Sequence, residues 1–248
     1  YHAFWRYRTV AEGGDYHVAW RNFYAGNVHY AQGIDYGYEW TTPVTVTTEY
    51  TRGTAPAIWV EDQNVVVLVD YTPSGDPTYR EKTWAYVSDD GGSSWGKFLI
   101  GEGSSPSLVE SQGNLVVLLL HADTRGLRSL VSSDHGQSWE GPYLVPQPVG
   151  LDEYVECPDL AVRESDGYLV AVWTDDQNIF ASFSSDGRSW AAPEFVFGSE
   201  VANVYPSAAF WNDRVFIAWE TVQPYRILVS SRAVPPFRLY LPIIVNNF

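Results

Sequence analysis

One short pattern recurs along this chain, and a repeat at this spacing leaves few architectures open. Residues 88–95 read S-x-D-x-G-x-S-W, carried by Ser88, Asp90, Gly92, Ser94 and Trp95. Residues 132–139 repeat it with Ser132, Asp134, Gly136, Ser138 and Trp139. Residues 184–190 keep Ser184, Asp186, Gly187, Ser189 and Trp190, with one position deleted. Residues 33–40 retain Asp35, Gly37 and Trp40. The four tryptophans stand about 45 to 55 residues apart. Each copy reads as a tight hairpin turn. The aspartate accepts hydrogen bonds from N–H groups inside the turn, and the glycine takes a backbone angle other residues avoid. The indole then covers the turn and packs between neighbouring units.

Strand signals surround every copy. Runs rich in Val, Ile, Leu and aromatics fall at 56–60, 65–69 and 83–88, then at 106–110, 115–120 and 127–132. They fall again at 158–162, 168–173 and 179–184, and at 206–210, 215–219 and 226–230. A looser set occupies 4–10, 16–20 and 28–32, and the tail 237–245 can supply a closing or outer strand. No segment carries a helical period. Five units of about four strands predict an all-β chain, a β-propeller with five visible four-stranded blades, or six if the chain is incomplete at its N-terminus. The expected organisation is one domain over 1–248, with blades at 1–47, 48–100, 101–147, 148–197 and 198–248.

Composition supports this and narrows the partners. Hydrophobic residues make up 45% and aromatics 16%, enough for a large core, so a disordered chain is excluded. The net charge of -15, with lysine only at 82 and 97, disfavours nucleic acid. The longest aliphatic runs, 65–69 and 115–120, are too short to span a bilayer as a helix. Cys157 is the one cysteine, which excludes an internal disulfide and a cysteine-based zinc cluster. No cofactor and no metal is expected. The chain starts at Tyr1 and has no Met, as expected of a mature form or a fragment.

The repeated boxes resemble the Asp boxes, or bacterial neuraminidase repeats, of the sialidase superfamily. That resemblance covers four of the five units and implies a propeller fold, export to the cell surface or exterior, a monomer, and a glycan or glycoconjugate as partner. Topology says where a site belongs. The boxes follow the third strand of each blade, so the opposite rim is built from residues before first strands and after second strands. The rim candidates are Arg6, Arg8, Arg52, Glu156 and Tyr205 on the first side, and Arg21, Asp70, His121, Asp123, Asp175, Asp176 and Glu220 on the second. Carboxylates and aromatics predominate, which suits sugar hydroxyls and sugar faces.

Three stretches are similar to sialidase pieces. Tyr205-Pro206-Ser207 followed by Trp219-Glu220 resembles the last catalytic blade, and Glu156-Cys157-Pro158 resembles the blade carrying the acidic partner of the tyrosine. Tyr7-Arg8-Thr9 with Arg21 resembles the family's opening blade. The resemblance implies Tyr205 as nucleophile and Glu156 as its base. It makes Arg8 or Arg6 the clamp on a substrate carboxylate, with Glu220 steadying that arginine. The chain then departs from the family. Trp173-Thr174 and Asp175-Asp176-Gln177 stand where two further carboxylate-binding arginines are expected. The stretch 22–34 holds no Asp or Glu where the family has an acid/base aspartate. Like charge replaces opposite charge, which repels an anionic sugar. Two readings follow. One is a divergent sialidase-like exo-glycosidase on a neutral or unusual glycan; the other is a non-catalytic propeller that binds glycan or protein.

Overall fold

The computed structural model describes residues 7–248 except 13, 23–24, 50, 52–55, 73–74, 76–79, 125, 149–154, 176, 223, 235–242 and 246–248; for 7–12, 156 and 243–245 it describes the backbone alone. The regular structure of the described residues is strand, apart from one 3-10 turn at Asp35–Gly37. The first sheet holds β1 (Tyr7–Glu12), β2 (Asp15–Arg21), β3 (Val28–Ile34), β4 (Glu39–Trp40) and β5 (Val44–Thr47), the last two sharing the edge of β3. The second holds β6 (Ala57–Glu61), β7 (Asn64–Tyr71), β8 (Lys82–Ser88) and β9 (Gly96–Glu102). The third holds β10 (Ser104–Ser111), β11 (Asn114–Leu120), β12 (Leu127–Ser132) and β13 (Glu140–Leu144). The fourth holds β14 (Glu156–Arg163), β15 (Tyr168–Thr174), β16 (Asn178–Ser184) and β17 (Glu194–Gly198). The fifth holds β18 (Asn203–Trp211), β19 (Arg214–Val222), β20 (Tyr225–Ala233) and β21 (Ile243–Val245). Each sheet runs in chain order, the up-and-down pattern of a propeller blade, and the five together make the predicted five-bladed propeller class. The tail supplies the outer strand of the fifth blade, with Leu228 opposite Ile244. Among the described residues no helix is long and apolar enough to cross a membrane.

Two compact units divide the contacts. One is Tyr1–Leu108 with Ser132–Glu140; the other is Val109–Val131 with Gly141–Phe248. In the first unit a core of Ala19, Val28, Tyr30, Val65, Val67 and Tyr86 lies between the first and second blades. In the second unit one core packs around Leu118, Leu127, Leu160, Leu169 and Trp173, and another around Val172, Ile179, Phe183, Ile217 and Trp219. The second strands β7, β11 and β15 are buried on both faces, which explains why 65–69, 115–119 and 169–173 read as unbroken apolar runs. In β19 burial alternates instead, with Val215, Ile217, Trp219 and Thr221 inward.

The boxes fold alike. Ser88 Oγ donates to Asp90 Oδ1 at 2.8 Å and accepts from Gly92 N–H at 2.8 Å, while Ser94 N–H and Oγ donate to the two Asp90 oxygens at 2.8 and 2.7 Å. Ser132, Asp134, Gly136 and Ser138 make the same four bonds at 2.8, 2.8, 2.8 and 2.5 Å. In the shortened copy Asp186 Oδ1 accepts from Ser184 Oγ and from the N–H groups of Arg188 and Ser189. The boxes of the second, third and fourth blades each rest on the blade before. A Cβ on Gly92 (φ +92) would meet the Tyr30 ring at 2.4 Å, and one on Gly187 (φ +69) would meet Val116 at 2.8 Å, so only glycine fits. Trp190 Nε1 donates to Ser129 Oγ at 2.8 Å across the same seam. The 33–40 copy lacks the clasping serine, because Gly33 replaces it. Asp35 there heads a 3-10 turn, and the bonds from Trp40 Nε1 to Gly37 O and from Tyr38 N–H to Asp35 O are retained.

These turns should make the fold acid-sensitive. Hydrogen bonds from the Ser94 hydroxyl and N–H and from Ser88 hold Asp90 down from 3.8 to about 2. Burial pushes Asp134 and Asp186 upward, but the turn donors outweigh it and both end below the ordinary value. A carboxyl depressed in the fold stabilises it above the unfolded value and loses that contribution as pH falls through the folded one. Urea midpoints should therefore fall as pH drops from about 4 to about 2. A triple variant with Asn at 90, 134 and 186 should start lower at neutral pH and show a flatter decline.

Candidate functional site

The rim opposite the boxes is built where first strands start and second strands end. Gly91 N–H donates to Gln63 O at 2.9 Å, which places the box of the second blade beside that blade's β6–β7 turn and so at the other end. At the rim of the second unit, Glu156 stands opposite Thr174 in the β14–β15 ladder and Val204 opposite Glu220 in the β18–β19 ladder.

Both ladders break immediately afterwards. Register slips between Glu156 and Asp159, and again between Val204 and Ser207. The residues in the slips, Cys157 (φ 49) and Tyr205 (φ 52), have left-handed backbones, as does Ser105 (φ 55) near the start of β10. Each is followed by proline, Pro106, Pro158 or Pro206, which has no N–H to give to a ladder. A left-handed conformation costs a side-chain-bearing residue roughly 1–2 kcal/mol. A bulge re-aims the residue it carries. The repetition makes the bulge a property of the blade, and the fifth blade is distinguished by the side chain presented there. Tyr205 is 40% exposed, between the buried Asn203 and Pro206.

The Tyr205 bulge is pinned on both sides. Thr174 Oγ1 donates to Asn203 O at 2.6 Å, and the fully buried Asn203 donates through Nδ2 to Gln177 O at 2.5 Å and Ser199 Oγ at 3.0 Å. Beyond the bulge, Asp159 Oδ2 accepts from Ser207 Oγ at 2.8 Å and Ala208 N–H at 3.1 Å. The Glu220 side chain, half-buried, makes no hydrogen bond or ion pair with other described residues. The sequence reading missed Asp159. Its signal was a polar residue two places after each bulged position, as in Ser107, Asp159 and Ser207.

The other rim candidates are engaged in the framework. Arg21 Nε donates to Thr51 O at 2.5 Å and Thr51 Oγ1 at 3.1 Å, tying the end of β2 to the start of the second blade. Asp70 is 2% exposed, and its Oδ2 accepts from Ser105 N–H at 2.9 Å, the same service one blade on. His121 Nδ1 accepts from Asp123 N–H at 3.3 Å within the β11–β12 loop. Asp175 caps the β15–β16 turn, taking bonds from Gln177 N–H and from Asn178 N–H and Nδ2. Arg6, Arg52 and Asp176 lie outside the described residues, as do the side chains of Arg8 and Glu156. Among the described residues no group of three His, Cys, Asp or Glu could hold a metal.

No protein-family model matches the chain, and a search of curated proteins matches none. Solved structures do resemble it. A protein of unknown function from Dyadobacter fermentans shares 15% identity over 98% of this chain and 82% of its own, with a TM-score of 0.66. An α-L-arabinanase from Penicillium chrysogenum, solved with arabinobiose, shares 13% over 93% and 89%, also at 0.66. A sialidase from Trypanosoma rangeli shares 16% over 90% of this chain and 43% of its own, at 0.59. The likeness is one of fold, and that fold is used by enzymes acting on glycans.

Proposed function

We propose that this chain is a divergent sialidase-like exo-glycosidase acting on a neutral glycan outside the cell, with Tyr205 as nucleophile, Glu156 as its base and Glu220 beside them. The observation that carries the reading is the exposed tyrosine on a strained bulge pinned at both flanks. Strain persists where the surroundings over-determine it, and such places cluster at functional sites. In the proposed step Tyr205 Oη attacks the anomeric carbon and gives its proton to Glu156 while the glycosidic C–O bond breaks and the aglycone leaves. Water then attacks the same carbon, losing one proton to solvent, the bond to Tyr205 breaks, and Glu156 returns its proton to the tyrosine. The missing arginines remove the means of holding an anionic sugar, so the substrate is neutral. No acid/base aspartate is present in 22–34 to protonate the departing oxygen. Leaving groups that need no proton, such as phenols, are therefore cleaved best. Support from comparison is limited to the fold, shared with an arabinanase and a sialidase. That absent acid also favours a second reading, a propeller that binds glycan without cleaving it.

A panel of 4-nitrophenyl glycosides, including α-L-arabinofuranoside and neutral hexosides, run beside an aryl sialoside, tests the proposal. Release of nitrophenol from a neutral glycoside but not from the sialoside is expected. Cys157 adjoins Glu156 and is partly exposed, so it supplies a second readout. A neutral oligosaccharide should slow its alkylation by iodoacetamide about tenfold when the site is saturated. Protection without cleavage favours the binding reading. Neither cleavage nor protection removes both.

A further inference from the structure

Asp159 has no part in the proposed chemistry, yet it is a carboxyl group buried to 6% exposure in an apolar strand start. Burial of this kind persists only when the oxygens are hydrogen-bonded. Asp159 Oδ2 takes two bonds from β18, from Ser207 Oγ and Ala208 N–H. Its place is telling. Asp159 is the residue at which β14 regains register after Glu156, and Ser207 is the residue at which β18 regains register after Val204. One carboxyl thus bridges the two irregularities that carry Glu156 and Tyr205. Packing alone does not demand an aspartate there, because the residues that follow Pro106 and Pro206 are serines. Where the second blade meets the third, a different aspartate, Asp70, holds the left-handed Ser105 by its N–H.

We infer that Asp159 is a positioning residue that sets the backbone carrying Tyr205 against the backbone carrying Glu156. The inference rests on the functional reading above, and its test includes measurements that do not. Asp159→Ala removes the oxygen that accepts both bonds, whereas Asp159→Asn keeps one oxygen able to accept. In Asp159→Ala the Ala208 amide should exchange with deuterium about tenfold faster, and nitration of Tyr205 by tetranitromethane, read by mass spectrometry, should quicken severalfold. On whichever aryl glycoside the wild type cleaves, kcat should fall about tenfold to a hundredfold with KM within twofold. Asp159→Asn should recover most of each loss. If Asp159→Ala does not fold, Ser207→Ala is read in its place, with the same directions and smaller changes. Unchanged exchange and nitration overturn the inference even if the enzyme is active. Changed exchange and nitration, in a protein that cleaves nothing, uphold the clasp and overturn the enzyme.

Discussion

Tyr205→Phe should cut turnover of a neutral aryl glycoside by about a thousandfold or more while leaving KM and thermal midpoint nearly unchanged. The substitution deletes one oxygen. The ring, its 40% exposure and its φ of 52 all stay as they were. A loss confined to kcat therefore reports the hydroxyl as the reacting group. Tyr205→Gly separates chemistry from strain. Glycine takes a left-handed backbone without penalty, so this variant should be at least as stable as the wild type, by up to about 1 kcal/mol, and equally inactive. A functional residue that costs stability is the expected signature of a strained site. The measurements are initial rates across substrate concentration and a melting curve for each variant. If Tyr205→Phe retains turnover, Tyr205 is a contact surface and the binding reading gains.

Trp173→Ala should produce the largest loss of stability, about 3–5 kcal/mol, lowering the thermal midpoint by roughly 10 °C. Trp173 is 0% exposed and packs in the core that joins Leu118 and Leu127 to Leu160 and Leu169, with its ring 5.9 Å from Phe180. Deleting the indole opens a cavity that sheets hydrogen-bonded on their flanks cannot collapse to fill. Trp173→Phe should cost far less than area alone suggests. The indole Nε1–H has no acceptor among the described residues, and phenylalanine removes that orphan donor together with the lost volume. Trp219, with the same orphan N–H in the next core, should behave alike. Urea denaturation of the four variants checks the order. Equal losses for Phe and Ala would show that volume, rather than the unpaired N–H, controls the cost.

The boxes were legible because each is a closed local circuit. The side chains of Ser132, Asp134 and Ser138 bond to one another and to backbone N–H groups of their own turn, so four residue types at fixed offsets predict the geometry. The second strands were legible because burial on both faces requires unbroken apolar runs, as at 169–173. The 33–40 copy misled in part. Its Asp, Gly and Trp are present, but without a serine at 33 the aspartate is not clasped. The rim was legible as a region and not as a set of roles. Arg21 and Asp70 look like ligand clamps in the sequence, yet their side chains reach the following blade. Nothing local distinguishes a charged strand end that meets a ligand from one that meets a neighbouring sheet.

By itself the sequence determined how many sheets form, where the boxes turn and which end of each blade they mark. All three depend on contacts between near neighbours along the chain. Only the tertiary structure decided that residues before Pro158 and Pro206 take left-handed backbones, and that Asp159 answers to Ser207, 48 residues away. The reason is geometric: a polar side chain at a strand start chooses its partner by which sheet is stacked beside it, and stacking is a property of the assembled blades.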